Sequence, residues 1–318
     1  MKKTLALLLV LVMSLCALAV PAFAEEPVKV GVCIYQFSND FMTLYRQELQ
    51  SYLEENYNVE VTVVDGKNDQ VEQTNQINTF ISQGVDVLIV NLVQSTSAAS
   101  VIDLVKEAGI PTVFINREPS EDDMQMWDGK ITYVGADARQ SGTFQGEIIR
   151  DTPNHGDING NGVIDYVMIM GDPENVDAQY RTEYSIKAVT DAGLEVNKLF
   201  EQRGDWDQTK GQELAANALA QFGGEAIDVF FCNNDSMALG AYQAIKEAGL
   251  VVGEDVYLVG VDALSEAVDM VNAGEMTGTV LNDHVGQSHT AADVAMKAAA
   301  GEDMETYYWV DYVKVTAE

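Results

Sequence analysis

Short apolar runs alternate with amphipathic stretches along most of the chain, and this alternation restricts the possible folds more than any other feature. Strand-like runs fall at 28–35, 59–64, 85–90, 111–115, 166–170, 228–232, 256–261 and 278–281. Between them, 40–55, 71–83, 101–107, 210–221 and 236–247 carry apolar residues at helical spacing. Near-continuous apolar strands are buried on both faces, and strand–helix alternation builds parallel sheets covered by helices. In 318 residues the units exceed one sheet, which predicts an α/β fold with two doubly wound lobes.

The two halves echo each other. Lys67-Asn68-Asp69-Gln70 opens a helix that is followed by Gly84-Val85-Asp86-Val87 and a strand ending at Asn91. Trp206-Asp207-Gln208 opens a second, followed by Ile227-Asp228-Val229 and a strand ending at Asn233-Asn234. Polar residues also stand at the carboxyl ends of buried strands: Asn116, Asn233-Asn234-Asp235, Asp262 and Asn282-Asp283. Any one of them is explained by a helix cap or a turn. Four strands ending in this way point to a shared polar crevice, where open parallel sheets bind ligands.

The N-terminus is read as an export signal. Lys2 and Lys3 precede an apolar run over 4–19, and Ala22-Phe23-Ala24 offers the small-x-small pattern cleaved by signal peptidase. Cleavage after Ala24 is expected; a lipid anchor at Cys16 is disfavoured by the bulky Leu15 before it. Formal net charge is −32, with 50 acidic against 18 basic residues, so neither nucleic acid nor an anionic membrane is expected as a main partner. Cys33 and Cys232 lie far apart in apolar runs and are expected as buried thiols, and no His/Cys cluster offers a zinc site.

Two constellations carry chemistry. In the first, Asp157, Asn159, Asn161 and Asp165 occupy positions one, three, five and nine of a loop with Gly162 at six. This is the oxygen spacing of a calcium loop, with the Val163 carbonyl as a further ligand at position seven. Met168 stands where the usual bidentate Glu belongs, so another segment must supply a carboxylate. The second is a set of groups suited to a sugar: Phe41 and Trp206 to cover flat C–H faces, Asp177 and Arg181 to bridge neighbouring hydroxyls. Singly, core packing and an i,i+4 surface ion pair explain them as well.

Taken together these residues resemble the periplasmic glucose/galactose-binding proteins, sugar carriers with the type I two-lobed fold. The likeness runs through Ile34-Tyr35, Phe41-Met42, 113–120, the calcium loop, 177–182, 232–238, 260–264 and 278–283. It implies sugar contacts at Phe41, Asn116, Asp177, Arg181, Trp206, Asn234, Asp262 and Asn282. Asn39 and Asn175 depart from the family, which has Asp and His there. It also implies that Asp228 completes the calcium site where the family has Glu.

The resemblance implies three crossings between lobes, a three-strand hinge, placed near Gly135, near Asn282 and close to the C-terminus. The lobes are then 25–135 with 282–314 and 136–281 with 315–318, after a signal peptide at 1–24. The expected protein is a monomer, exported to the periplasm or the outer face of the cell membrane. It closes on a monosaccharide and passes it to an ABC transporter permease, with a chemoreceptor as a further partner. A sugar-active enzyme is the competing class, but the chain has no Gly-x-Ser-x-Gly elbow or phosphate loop and only three His. A carrier of another small polar ligand is the nearer alternative.

Overall fold

The computed structural model describes residues 26–317; the expected signal peptide and Cys16 lie outside the described residues. Strands β1 (Val28–Ile34), β2 (Val59–Asp65), β3 (Val87–Val90), β4 (Thr112–Ile115) and β5 (Ile131–Gly135) build the first sheet. Strands β6 (Ile164–Met170), β7 (Val196–Arg203), β8 (Val229–Cys232) and β9 (Tyr257–Val259) build the second, and β10 (Thr279–Leu281) joins it through the bridges Val259–Gly278 and Asp262–Leu281. The late strand β11 (Tyr307–Trp309) returns to the first sheet beside β5. Both sheets are parallel, and the echo in the sequence becomes a shared strand order: β2-β1-β3-β4-β5 in one, β7-β6-β8-β9-β10 in the other. In each, the order reverses beside the first strand, which opens a crevice at the carboxyl ends.

Helices α1 (Asp40–Asn56), α2 (Gln70–Gln83), α3 (Ala98–Ala108) and the short α4 (Glu121–Met124) serve the first lobe. Helices α5 (Ala138–Arg150), α6 (Val176–Asp191), α7 (Gln208–Phe222), α8 (Asp235–Glu247) and α9 (Ser265–Ala273) serve the second. Helix α10 (His284–Ala299) goes back to the first, burying Ala291 and Ala295 with Leu49 and Val32. Each sheet is sandwiched between two apolar clusters, one per face, which is why the central strands read as unbroken apolar runs. Cys33 and Cys232 are free and buried, and burial pushes the Cys33 thiol up to about 12.

The chain passes between lobes three times: after β5, after β10, and between β11 and β12 (Val313–Val315). The last passage differs from the expected division after residue 314. Strand β12 runs antiparallel to β10, Val313 opposite Leu281 and Val315 opposite Thr279, and Tyr312 packs into the second lobe's core with Phe231 and Val280. The ladder with β10 therefore draws Val313 and Lys314 to the second lobe, and the crossing comes before them.

Two buried asparagines fix the strand ends around the reversals. Asn91 accepts from the Tyr35 N–H at 3.2 Å and donates to the Ile115 carbonyl at 3.2 Å, stitching β1, β3 and β4. Asn233, its counterpart, accepts from the Gly171 N–H at 2.9 Å and so ties β8 to the end of β6. Buried amides of this kind hold loops whose backbone groups would otherwise lack partners.

Candidate ligand-binding cleft

The crevices of the two sheets face each other across one small polar cavity of about 30 Å³. All ten residues expected to contact sugar line it. Asn39, Phe41 and Asn116 come from the first lobe, Asn175, Asp177, Arg181, Trp206, Asn234 and Asp262 from the second, and Asn282 from a crossing. Two liners escaped the sequence reading: Tyr35 and Arg117.

Three of the asparagines turn out to be helix caps as well. Asn39 Oδ1 accepts from the Met42 N–H at 2.9 Å at the start of α1, and Asn175 Oδ1 from the Asp177 N–H at 3.0 Å at the start of α6. Asn234 Oδ1 accepts from the Met237 N–H at 3.0 Å at the start of α8. Capping and lining are one arrangement: the oxygen is committed to the helix, so the amide NH₂ is left to donate elsewhere.

Arg181 is the centre of the second lobe's wall and is 3% exposed. Its Nη1 donates to the Asn233 carbonyl at 2.8 Å and its Nη2 to the Tyr312 hydroxyl at 3.1 Å. The guanidinium lies 3.8 Å from Asp177 Oδ2 and 3.9 Å from Asp262 Oδ1, and its buried Nε has no protein partner. The i,i+4 pair that sequence alone allowed to be a surface ion pair is thus buried and shared with a third residue. Burial pushes both Asp177 and Asp262 up to about 6, against the opposing pull of Arg181. Asn282 donates to Asp262 Oδ1 at 3.2 Å and is itself held by Gln287 at 2.6 Å, which fixes that carboxylate.

Backbone strain gathers at the same place. Asn116, Trp206 and Asp262 have φ of 60°, 65° and 123°, in the region that favours glycine. Such strain persists only where surrounding structure enforces it. The loop carrying Trp206 lies so close to β6 that a Cβ on Gly171 would stand 2.2 Å from the indole ring. Opposite, Arg117 lies 3.9 Å above the Tyr35 ring, donates to the Val93 carbonyl and reaches Asp172 at 3.9 Å. Donors and acceptors from both lobes therefore line the cavity, with aromatic groups on each side.

The oxygen-rich loop sits on the second lobe, away from the cavity. Asp157 accepts from the N–H groups of Gly160, Asn161 and Gly162, and Asn159 and Asn161 accept from the N–H two residues on. Asp228 enters from the start of β8 and accepts from Ile158 and Asn159 at 3.0 Å and Asp165 at 2.8 Å. Burial raises the Asp228 carboxyl, and Asp157 raises it further. Among the described residues no three His, Cys, Asp or Glu side chains converge on a metal position, so any cation here depends on amide and carbonyl oxygens too. The donors are all oxygen, as a hard cation such as calcium requires, but Asp165 Oδ1 and Oδ2 already accept from the Asn197 and Asn161 side-chain amides at 2.6 Å and 2.9 Å.

A two-lobed α/β chain with a polar crevice at its switch points has the form of a small-ligand binding protein. Residues 30–303 match the model of the periplasmic binding protein domain, and the chain belongs to that family. It is 33% identical to the D-galactose/methyl-galactoside binding periplasmic protein of Haemophilus influenzae, over 95% of this chain and 90% of that one. It is 32% identical to a putative rhizopine-binding protein of Rhizobium meliloti, over 96% and 95%. Among solved structures, an ABC transporter solute binding protein of Bacillus halodurans with bound myo-inositol superposes with a TM-score of 0.81 at 28% identity, covering 93% of this chain and 96% of that one. These relatives are binding proteins, not enzymes.

Proposed function

We propose that the chain is an exported carrier that captures a monosaccharide, glucose- or galactose-like, by closing its lobes and delivers it to an ABC transporter permease. The observation that carries this reading is the convergence of ten expected contacts and Arg117 on one cavity. Buried Asp177 and Asp262 accept from hydroxyls, while Arg181 and the capped asparagines donate. Phe41 and Trp206 cover the ring faces, one from each lobe. Closure joins both lobes into one surface that a permease, and a chemoreceptor, would recognise. Export rests on the N-terminal signal with cleavage after Ala24, and the carrier acts as a monomer.

The ligand's identity turns on Asn39 and Asn175. Each oxygen already accepts one helix N–H, so the amide NH₂ groups are the free donors toward hydroxyls facing these residues. Calorimetry of the mature protein against galactose, glucose, xylose, ribose and myo-inositol tests the reading. One or more monosaccharides should bind without being converted, and Asn39→Asp and Asn175→His should reorder the panel, each mismatched hydrogen bond costing about 1–3 kcal/mol. Failure of every monosaccharide, or chemical turnover of one, sinks the carrier; unchanged order in both variants removes these two positions from specificity.

A structural calcium ion is part of the proposal. Asp157, Asn159, Asn161, Asp165, Asp228 and the Val163 carbonyl would hold it, with the shorter Asp228 contributing its carboxylate from β8. The ion would neutralise the loop's carboxylates and tie the loop to the second sheet.

A further inference from the structure

Helices α1 and α8 approach each other across the cleft by their N-termini. Asn39 and Asn234, their caps, both line the cavity. One residue further on, Asp40 begins α1, and Ser236 is the second residue of α8. The Ser236 hydroxyl donates to Asp40 Oδ2 at 2.6 Å, a direct bond from one lobe to the other. Neither residue lines the ligand cavity. Other side-chain bridges between the lobes among the described residues are longer, such as Gln94 to Glu174 at 3.4 Å and Arg117 to Asp172 at 3.9 Å.

Two helix N-termini carry like partial charges, so their approach is unfavourable unless an anion lies between them. Asp40 supplies that anion from the first turn of α1 and shares it with α8. Ser236 is 2% exposed, so its hydroxyl loses water on closure and has Asp40 as its hydrogen-bond partner. We propose that Asp40 and Ser236 form a latch that holds the lobes closed without touching the ligand, and so sets the ligand's residence time. The role presupposes the carrier reading, because a latch matters to a protein that opens and closes. Positioning by this pair acts on the equilibrium between open and closed forms, not on recognition of any hydroxyl.

The test is a double-mutant cycle on the full mature chain, with the tightest-binding member of the sugar panel as ligand and stopped-flow tryptophan emission as readout. Ser236→Ala should speed dissociation about tenfold and leave association within about twofold, as expected for losing one charge-assisted bond in the closed form. Asp40→Ala should do the same, and the double variant should be no faster than either single. Asp40→Asn, which keeps an acceptor, should recover part of the slow dissociation. Unchanged dissociation in Ser236→Ala, or strictly additive effects in the double variant, overturns the latch. If no panel member binds, the carrier reading fails separately, and the latch is judged by cross-linking. Asp40→Cys combined with Ser236→Cys should then form a disulfide under mild oxidation in the ligand-free protein, and its absence overturns the latch.

Discussion

The two lobes share a strand order but differ in where they keep their charge. The second lobe lines the cavity with the buried cluster of Asp177, Arg181 and Asp262, and holds Asp235 behind it, pushed up to about 7 by burial and by Asp262. The first lobe lines it with Asn39, Phe41, Asn116 and Tyr35, and its one charged liner, Arg117, stacks on Tyr35. Desolvating charge is costly, and in the second lobe that cost is met within the fold by mutual pairing. A ligand arriving there finds donors and acceptors already fixed. The second lobe therefore presents a pre-paired charged wall to the cavity and the first a mostly neutral one.

The sharpest way to break this comparison is Arg181→Ala. It leaves Asp177 and Asp262 buried without their shared cation, and a broken buried pair costs about 3–5 kcal/mol. Calorimetry should show ligand binding lost, and thermal unfolding should fall. Asn116→Ala in the first lobe should weaken binding far less, by about 1 kcal/mol. Equal losses in the two variants would abolish the asymmetry.

Metal removal asks whether the second lobe also depends on its loop. A cation present at about a thousandfold above its dissociation constant adds about 4 kcal/mol to the folded form. Chelator should therefore lower the unfolding midpoint, and Asp157→Ala should remove that response. Hydrogen exchange should rise in 157–165 and at the start of β8, with the first lobe unaffected. An unchanged midpoint, with no metal found in the purified protein, eliminates the site.

Trp206→Ala addresses the ring face. Losing a desolvated aromatic anchor costs about 2 kcal/mol, and most of the ligand-dependent tryptophan emission should vanish with it. Gly171→Ala should weaken binding in the same direction, since its methyl group collides with the indole. Normal affinity in Gly171→Ala would show that Trp206 is not held against β6.

How much of this was legible in the sequence depended on how local each signal was. Strands β1, β3, β4 and β8 read clearly because they are buried on both faces, whereas β5, equally buried and interior, was not among the expected runs. Strand β7 was missed because it is an edge strand, VNKLFEQR, paired on one side and exposed at about half its positions. Strands β11 and β12 span three residues each, too short to show a period, and so the third crossing was misplaced. Asn116, Asn234, Asp262 and Asn282 stood out locally as polar strand ends, whereas Asn39 and Asn175 were named only through the resemblance to the sugar-binding family. Arg117 was not, because a charge after Asn116 reads as a solvated loop. Its burial comes from the Tyr35 ring and the Val93 carbonyl, partners that only the folded sheet brings to it.

The smallest expected effect is a pH dependence, and it pulls stability and binding apart. Burial holds the carboxyls of Asp177 and Asp262 up at about 6, above the usual unfolded value of about 4, and because they share Arg181 they lose their protons in coupled steps. Between those values the folded protein holds protons that the unfolded chain has lost. Acidification from pH 7 toward 4 therefore stabilises the ligand-free fold through these two groups. Binding moves the other way, because hydroxyls donate best to ionised carboxylates. Affinity should fall by about tenfold for each unit of pH below 6 over which a single bound proton must be displaced. The remaining acidic surface also gains stability on acidification by losing self-repulsion, so the comparison must be with Asp262→Asn at each pH. That variant should show a flatter stability curve and a weaker pH dependence of binding than the parent. If parent and variant run parallel in both measurements, the buried pair is not the titrating element, and the second lobe's charge does not set how tightly the ligand is held.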